Sequence, residues 1–431
     1  MEPRFRKARS RPWQHFAALS AVGALAFGLV SCASDDTVVV NVYGGTAAAG
    51  FDRIIASCNE AAEGRYRIQG NLLPADADSQ REQFVRRLAS RDSGMDLLGM
   101  DVTWTAEFAE AGWIRELTAE QAELATADIL QPPIDTATWQ DRLYGIPKHT
   151  NVQLLWYRPS LTPQPPRTWD EMLEMAAELR DRGEIYQIGF TGARYEGYVV
   201  GFNTLLNSFG GDLVNEDSTE ATIDENTLQA LELMSRFATS GLASASLSNA
   251  QEPEVFAEFQ QGRSAFSLNW PYVLSAMRAA AETDAQSRSV YEDMAFAQYP
   301  EVVPGEPARV TLGGMNYAIS TFSEHPEEAF DAAMCLRSPE HQLWAALDAG
   351  DVPANVTVYD DPEFQDAYPM YEILLEQLEI AVPRPKTPFY QNISTIVSST
   401  LSPPAAIDPE ATADELRDRI QDTLEGRGIL P

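Results

Sequence analysis

The chain has 431 residues and a formal charge of −33, with 64 acidic side chains against 31 basic ones. That balance excludes a nucleic-acid partner, because neutralising a phosphate backbone needs Lys and Arg gathered on one face, and it disfavours a strongly anionic ligand. A composition that is 44% hydrophobic and 22% charged is that of a folded protein, long enough for two cores.

The N-terminus reads as an export label. Arg4, Arg6, Lys7, Arg9 and Arg11 form a basic region, and Phe16 to Val30 is an apolar stretch too short to span a bilayer comfortably. It ends in Leu29-Val30-Ser31-Cys32, which matches a bacterial lipobox. The expectation is removal of residues 1–31, lipidation of Cys32 and a tether over 32–36; an ordinary signal with an incidental Cys is the weaker reading. Two or three acyl chains anchor stably where one is marginal. In an exported chain the other two cysteines, Cys58 and Cys335, are candidates for one disulfide, although two buried thiols fit the sequence as well. Neither CxxC nor HExxH spacing occurs, so no metal or cofactor is expected.

Thr37 to Tyr43 is a β-branched strand ending at Gly44-Gly45, and the next helix buries Phe51, Ile54, Ile55 and Cys58. Arg65 to Leu73 is a second strand, followed by a helix with Phe84, Val85 and Leu88 inward. Leu97 to Met100 is a third, breaking at Asp101 before Trp104, Phe108 and Ala111 start a helix that ends at Gly112. This alternation predicts an α/β domain with a parallel sheet. Asp101 stands where ligands settle in open α/β sheets, past a strand end; it would equally help to start the helix.

Tyr144 to Pro147 interrupts the pattern and Val152 to Tyr157 resumes it, which puts a domain crossing at 148–151. A Pro-rich linker leads to Thr168-Trp169-Asp170-Glu171, a capping box for a helix burying Met172, Met175 and Leu179. Tyr186 to Phe190 is a strand, and Gly197 to Phe209 and Leu228 to Phe237 are helices. A further helix holds Phe256 and Phe259, and the strand Ala265 to Leu268 runs into Asn269-Trp270-Pro271. Val310 to Ser320 carries Gly313 and Gly314, a place where something approaches the backbone closely. Cys335 lies on the helix after Pro326; if it pairs with Cys58, the chain crosses between domains more than once. Pro383 to Tyr390 is extended, and the last helix buries Leu416, Ile420 and Leu424.

Asp101, Asn151, Glu196 and Arg384 follow strand ends, with Tyr43 and Trp270 as aromatic company. Sugars need that mixture, since carboxylates, amides and guanidinium bond hydroxyls directionally while a flat ring covers the CH face of a pyranose. Core packing explains Trp270 and a solvated loop explains Glu196 when each is taken alone. Arg384 is different, because the prolines on either side fix its backbone. Asp101 and Glu196 would also serve as a glycosidase pair, but nothing places a second acid near Asp101, and no nucleophile, phosphate or dinucleotide motif is present.

Together the lipobox, DVTWTAEFAEAGW, NVQLLWYRPSL, TWDEM, FNTLLNSFGG, FQQGRSAFSLNWP and VTLGGMNYAIS resemble the family 1 extracellular solute-binding proteins of carbohydrate ABC importers. WTAEFAEAGW, TNVQLLWYRP, RPKTPFYQ and IDPEATADEL resemble its trehalose-binding lipoprotein branch in particular. The resemblance implies a two-lobed periplasmic-binding-protein-like fold of type II, with a hinge and a ligand cleft between two α/β lobes. Residues 37–150 plus 313–357 would form lobe 1, and 151–312 plus 358–431 lobe 2. It implies ligand contacts from Asp101, Asn151, Glu196, Trp270, Arg384, Gly313, Gly314, Asn316, Tyr43 and Gln80. It further implies a non-catalytic, cofactor-free monomer, lipid-anchored to the outer face of the plasma membrane. That protein would deliver a disaccharide, trehalose foremost and maltose as the alternative, to permease transmembrane subunits driven by a cytoplasmic ATPase.

Overall fold

The computed structural model describes residues 37–44, 50–74 and 76–427. The export segment, Cys32, the tether and Gly45 lie outside these residues.

The strands that build the two lobes are β1 (Val38–Gly44), β2 (Tyr66–Leu72), β3 (Leu97–Asp101), β4 (Gly145–Asn151) and β5 (Leu154–Tyr157). They continue with β6 (Gln187–Gly189), β7 (Ser264–Asn269), β8 (Ala295–Ala297), β9 (Gly313–Ile319) and β10 (Val352–Pro353). The helices that matter for the site are α1 (Phe51–Ala61), α2 (Ala77–Ala89), α3 (Thr105–Glu110), α4 (Trp169–Asp181) and α5 (Glu196–Ser208). After them come α6 (Glu252–Gln260), α7 (Tyr272–Thr283), α8 (Pro326–Leu336), α9 (Pro339–Ala349) and α10 (Tyr390–Thr400).

A six-stranded sheet has the order β10-β4-β9-β3-β1-β2, and a four-stranded sheet the order β8-β5-β7-β6. In the first sheet β2, β1 and β3 are parallel, while β9 runs antiparallel to both β3 and β4. The expected parallel sheet is therefore a mixed one, because the late strand β9 returns to pair with β3. The chain passes from the first sheet to the second at Val152 and Gln153, returns at Leu312, and is bridged again where Val382 exchanges backbone hydrogen bonds with Val310 and Leu312. These adjacent crossings form the hinge of a two-lobed, periplasmic-binding-protein-like α/β fold.

Leu97 and Leu98 show how the first sheet is covered, since neighbouring strand residues point to opposite faces. Leu97 joins Val40, Ile54, Cys58, Ile68 and Ala333 under α1 and α8; Leu98 joins Phe84, Leu88, Met100, Trp104 and Phe108 under α2 and α3. Phe84 meets Trp104 edge-on at 5.9 Å, a favourable aromatic geometry. The second lobe packs around Trp156, Trp169, Phe190 and Phe237, with Trp169 edge-on to Phe190 at 6.0 Å and to Phe237 at 5.7 Å. At the start of α4, Thr168 accepts from the Glu171 N–H, while Glu171 reaches back one residue further than a capping box requires, to the Arg167 N–H.

Two sequence expectations change. Tyr144 to Pro147 is largely strand: Pro147, which has no N–H to donate, is accommodated because the register slips between Met315 and Asn316, leaving Lys148 as a bulge. Cys58 and Cys335 are joined in a disulfide that ties α1 to α8, which settles the choice between bridge and free thiols. Among the described residues no helix is long and apolar enough to cross a membrane.

Candidate ligand-binding cleft

A cleft of about 490 Å³ opens between the lobes, lined by residues of β3, β4 and β9 on one side and of α5, α6 and the end of β7 on the other. Clefts that hold small ligands run roughly 300–1,000 Å³.

Asp101 ends β3 and lines this cleft. Its Oδ1 accepts from the Thr103 N–H at 3.0 Å and the Thr103 hydroxyl at 2.8 Å, and faces Arg384 Nη2 at 3.3 Å. The carboxylate thus shapes the turn that leads to α3, whose own N-cap is Trp104, and stands in the cleft wall. Among the described residues none of its hydrogen bonds falls on Oδ2.

Arg384 is the hub. Its side chain is 2% exposed and pairs through Nη1 with Glu196 and through Nη2 with Asp101. Glu196, the first residue of α5, accepts in addition from the Tyr390 hydroxyl and from Ser394. Burial pushes the Glu196 carboxyl above the usual carboxylate range, although Arg384 pulls it down. Burial opposes the charge on Arg384 too, but Asp101, Tyr390 and Glu196 raise its pKa, so it is firmly cationic. With both oxygens engaged, Glu196 fixes the guanidinium and offers the cleft little. Among the described residues Arg384 Nε and Asn151 Oδ1 are buried without hydrogen-bond partners.

Trp270 leaves β7 partly exposed, its backbone N–H donating to Asn269 Oδ1 at 2.8 Å. A Cβ on Gly313 would lie 2.8 Å from its indole ring, so that glycine lets the aromatic plane of one lobe reach the strand of the other. The Tyr195 hydroxyl bonds the Glu252 carboxylate, and the Glu252 carbonyl accepts from Asn269 Nδ2 and the Tyr272 hydroxyl. Burial pushes Glu252 up. Gly197 makes room for this group, since a Cβ there would fall 2.5 Å from Glu252 Oε1. Deeper in lobe 1, the Lys148 ammonium meets Asp351 at 3.0 Å, and buried His149 has its pKa lowered to about 4 by burial, against the pull of Asp351.

The structure thus gathers Asp101, Asn151, Glu196, Trp270, Arg384, Gly313 and Gly314 around one cleft. It does not bring the other three candidates there. Tyr43 is buried among Phe84 and Leu98 with the Arg87 guanidinium 4.3 Å over its ring. Asn316 is fully buried and donates to Thr136 Oγ1 at 3.1 Å. Gln80 is buried on α2. Sequence reasoning missed Tyr195, Glu252, Tyr272 and His149, which also line the cleft. Glu252 follows no strand and sits before Pro253 at a helix start, so it carries only a capping signal.

A hinged pair of α/β lobes with a polar, aromatic-floored cleft between them defines a ligand-binding protein of the closing two-lobe type. Residues 68–343 match the model of the bacterial extracellular solute-binding protein family, and the chain belongs to that family. A probable ABC transporter-binding protein of Deinococcus radiodurans is 26% identical over 82% of this chain and 85% of its own. The maltotriose-binding protein of Pyrococcus abyssi is 21% identical over 77% and 71%. Among solved structures, maltose-bound MalE3 of T. maritima is 27% identical, covers 90% of this chain and 100% of its own, and superposes with a TM-score of 0.80. The maltotriose-bound protein of Thermus thermophilus shares the fold at 18% identity and a TM-score of 0.72, over 89% and 100% of the two chains. The chain is accordingly an extracellular solute-binding protein by family, with the two-lobed fold of the sugar-bound structures it superposes on.

Proposed function

We propose that this protein captures a disaccharide, trehalose foremost, and presents it to the transmembrane subunits of an ABC importer, from a lipid anchor at Cys32. The observation that carries the sugar reading is the juxtaposition in one cleft of a partly exposed indole with Asp101, Asn151 Oδ1, Glu252 and Arg384. The lining acids Asp76, Asp101, Glu196, Glu252 and Asp351 outnumber Arg384, so the site suits a neutral polyol and repels phosphate. The sugar would draw the lobes together because each supplies part of its contacts, and a ligand shifts such an equilibrium only by its differential affinity. The lobes would divide as 37–150 plus 313–357 and 151–312 plus 358–431. The trehalose preference rests on the motif resemblance.

The maltose-bound and maltotriose-binding relatives favour a second reading, an α-glucan ligand. Calorimetric titration with trehalose, maltose, maltotriose, sucrose and mannitol separates the two. Trehalose is expected to bind tightest, and silence with trehalose alongside heat from maltose would replace the first reading with the second. Release of monosaccharide during the titration would overturn the binding role itself. For the anchor, Cys32→Ala should move the protein from the membrane fraction to the soluble one.

A further inference from the structure

Three helices bring together a cluster of soft donors that no local spacing announces. Cys58 of α1 and Cys335 of α8 are joined as the disulfide, and His341 of α9 lies beside the bridge. Its Nδ1 is 3.5 Å from Cys58 Sγ and 3.9 Å from Cys335 Sγ. The imidazole is held from both sides, with Nδ1 2.7 Å from the Cys335 carbonyl oxygen and Nε2 3.1 Å from the Ser57 hydroxyl. While the bridge is closed, Nδ1 carries the proton and donates to that carbonyl, and Nε2 accepts from Ser57. The opposite arrangement is open to the same pair, since a hydroxyl also accepts. Cys58 and His341 are buried, whereas Cys335 is only partly so and gives the cluster its way in. A tetrahedral zinc ion, with Zn–S of about 2.3 Å and Zn–N of about 2.0 Å, sets sulfur and nitrogen ligands about 3.5 Å apart. The ring already stands at that distance from Cys58 and close to it from Cys335; only the two sulfurs would have to part.

We propose that Cys58, Cys335 and His341 form a redox-gated site for a thiophilic divalent cation, zinc foremost. Two equivalents of a thiol reductant break the S–S bond, joining as a disulfide themselves and leaving two Cys thiols. The cation then displaces both thiol protons to water and takes the two Sγ atoms and His341 Nδ1, while a water fills the fourth position of the tetrahedron. The imidazole proton moves from Nδ1 to Nε2 and donates to Ser57 Oγ, an outer partner that fixes the ring. Bridge and cation are alternative ties between α1 and α8, one for oxidising surroundings and one for reducing.

The test uses the full chain carrying Cys32→Ala, which leaves Cys58 and Cys335 as its only cysteines, reduced with a phosphine and desalted under inert gas. Given zinc chloride and desalted again, the reduced protein should retain about one zinc per chain and the oxidised protein none. Cobalt(II) in place of zinc should give the reduced form alone the near-ultraviolet absorption of a cobalt–thiolate bond. Zinc should also raise the melting temperature of the reduced protein and leave that of the oxidised one unchanged, a readout that holds even where the reduced chain loosens before the metal is added. Ser57→Ala should weaken zinc binding about tenfold, and His341→Ala should weaken it further and change the cobalt spectrum. A reduced protein that retains no zinc would overturn the proposal. Equal retention by a variant with both Cys58→Ser and Cys335→Ser would overturn it too, since the cation would then sit on carboxylates.

Discussion

Arg384 and Asp101 sit 3.3 Å apart yet should respond differently to removal. Asp101→Ala leaves the guanidinium with Glu196, so unfolding free energy should drop by only about 1 kcal/mol, while sugar affinity falls about a hundredfold with the lost cleft acceptor. Arg384→Ala strands the buried Glu196 carboxylate and should cost about 3–5 kcal/mol of stability as well as binding. Denaturant titration beside calorimetry reads both, and a large stability loss in Asp101→Ala would make its role structural. His149 carries a pH prediction. Its pKa falls from 6.5 to about 4 on folding, so its contribution is complete above 6.5 and is lost as pH descends through that window, about 3 kcal/mol in all. Stability of His149→Gln should fall less steeply than that of the unaltered chain between those limits. Asp101 and Arg384 were legible in the sequence because a strand end and flanking prolines marked them. Glu252 was not, since its partners Tyr195 and Tyr272 come from 57 and 20 residues away and only the fold brings them together.

The elements that place these residues were legible to the extent that their patterns were local. The strand Val38–Gly44 follows from its β-branched run, Leu97–Asp101 from a run of buried side chains, and α3 from the spacing of Trp104 and Phe108. The strand Gly145–Asn151 was hidden by Pro147, whose cost vanishes only at a bulge that needs β9, more than 150 residues later, as its partner. Gly313 shows the same dependence on distant chain: a Cβ there meets the Trp270 ring at 2.8 Å. Gly313→Ala should therefore swing the indole aside, weakening sugar binding about tenfold or more and changing tryptophan fluorescence with little loss of stability. The bridge between α1 and α8 acts at the same scale. Replacing Cys58 and Cys335 together with Ser should lower stability by about 2–5 kcal/mol, measured by denaturant unfolding, and in the unaltered chain both sulfurs should react with a thiol reagent only after reduction.

At the scale of the molecule, the charge of −33 and the acids around the cleft act together. A disaccharide phosphate should bind far more weakly than its neutral parent, with the gap narrowing as salt screens the field; equal affinities would mean that Arg384 alone sets the local potential. The two-lobed form was legible from the family resemblance, and the Pro and Gly cluster before 148–151 put a crossing next to Val152, but the one at Val382 carries no local signal, because it is defined by its pairing with Val310 and Leu312. The helix α5 joins the scales, being buried along its whole length while its first residue, Glu196, lines the cleft. Its interior amides can exchange with deuterated water only when lobe 2 unfolds, whereas the Glu196 amide can exchange whenever the lobes part. One backbone hydrogen would then count openings of the clam, and its exchange rate should slow as sugar is added while its neighbours along the helix keep their own time.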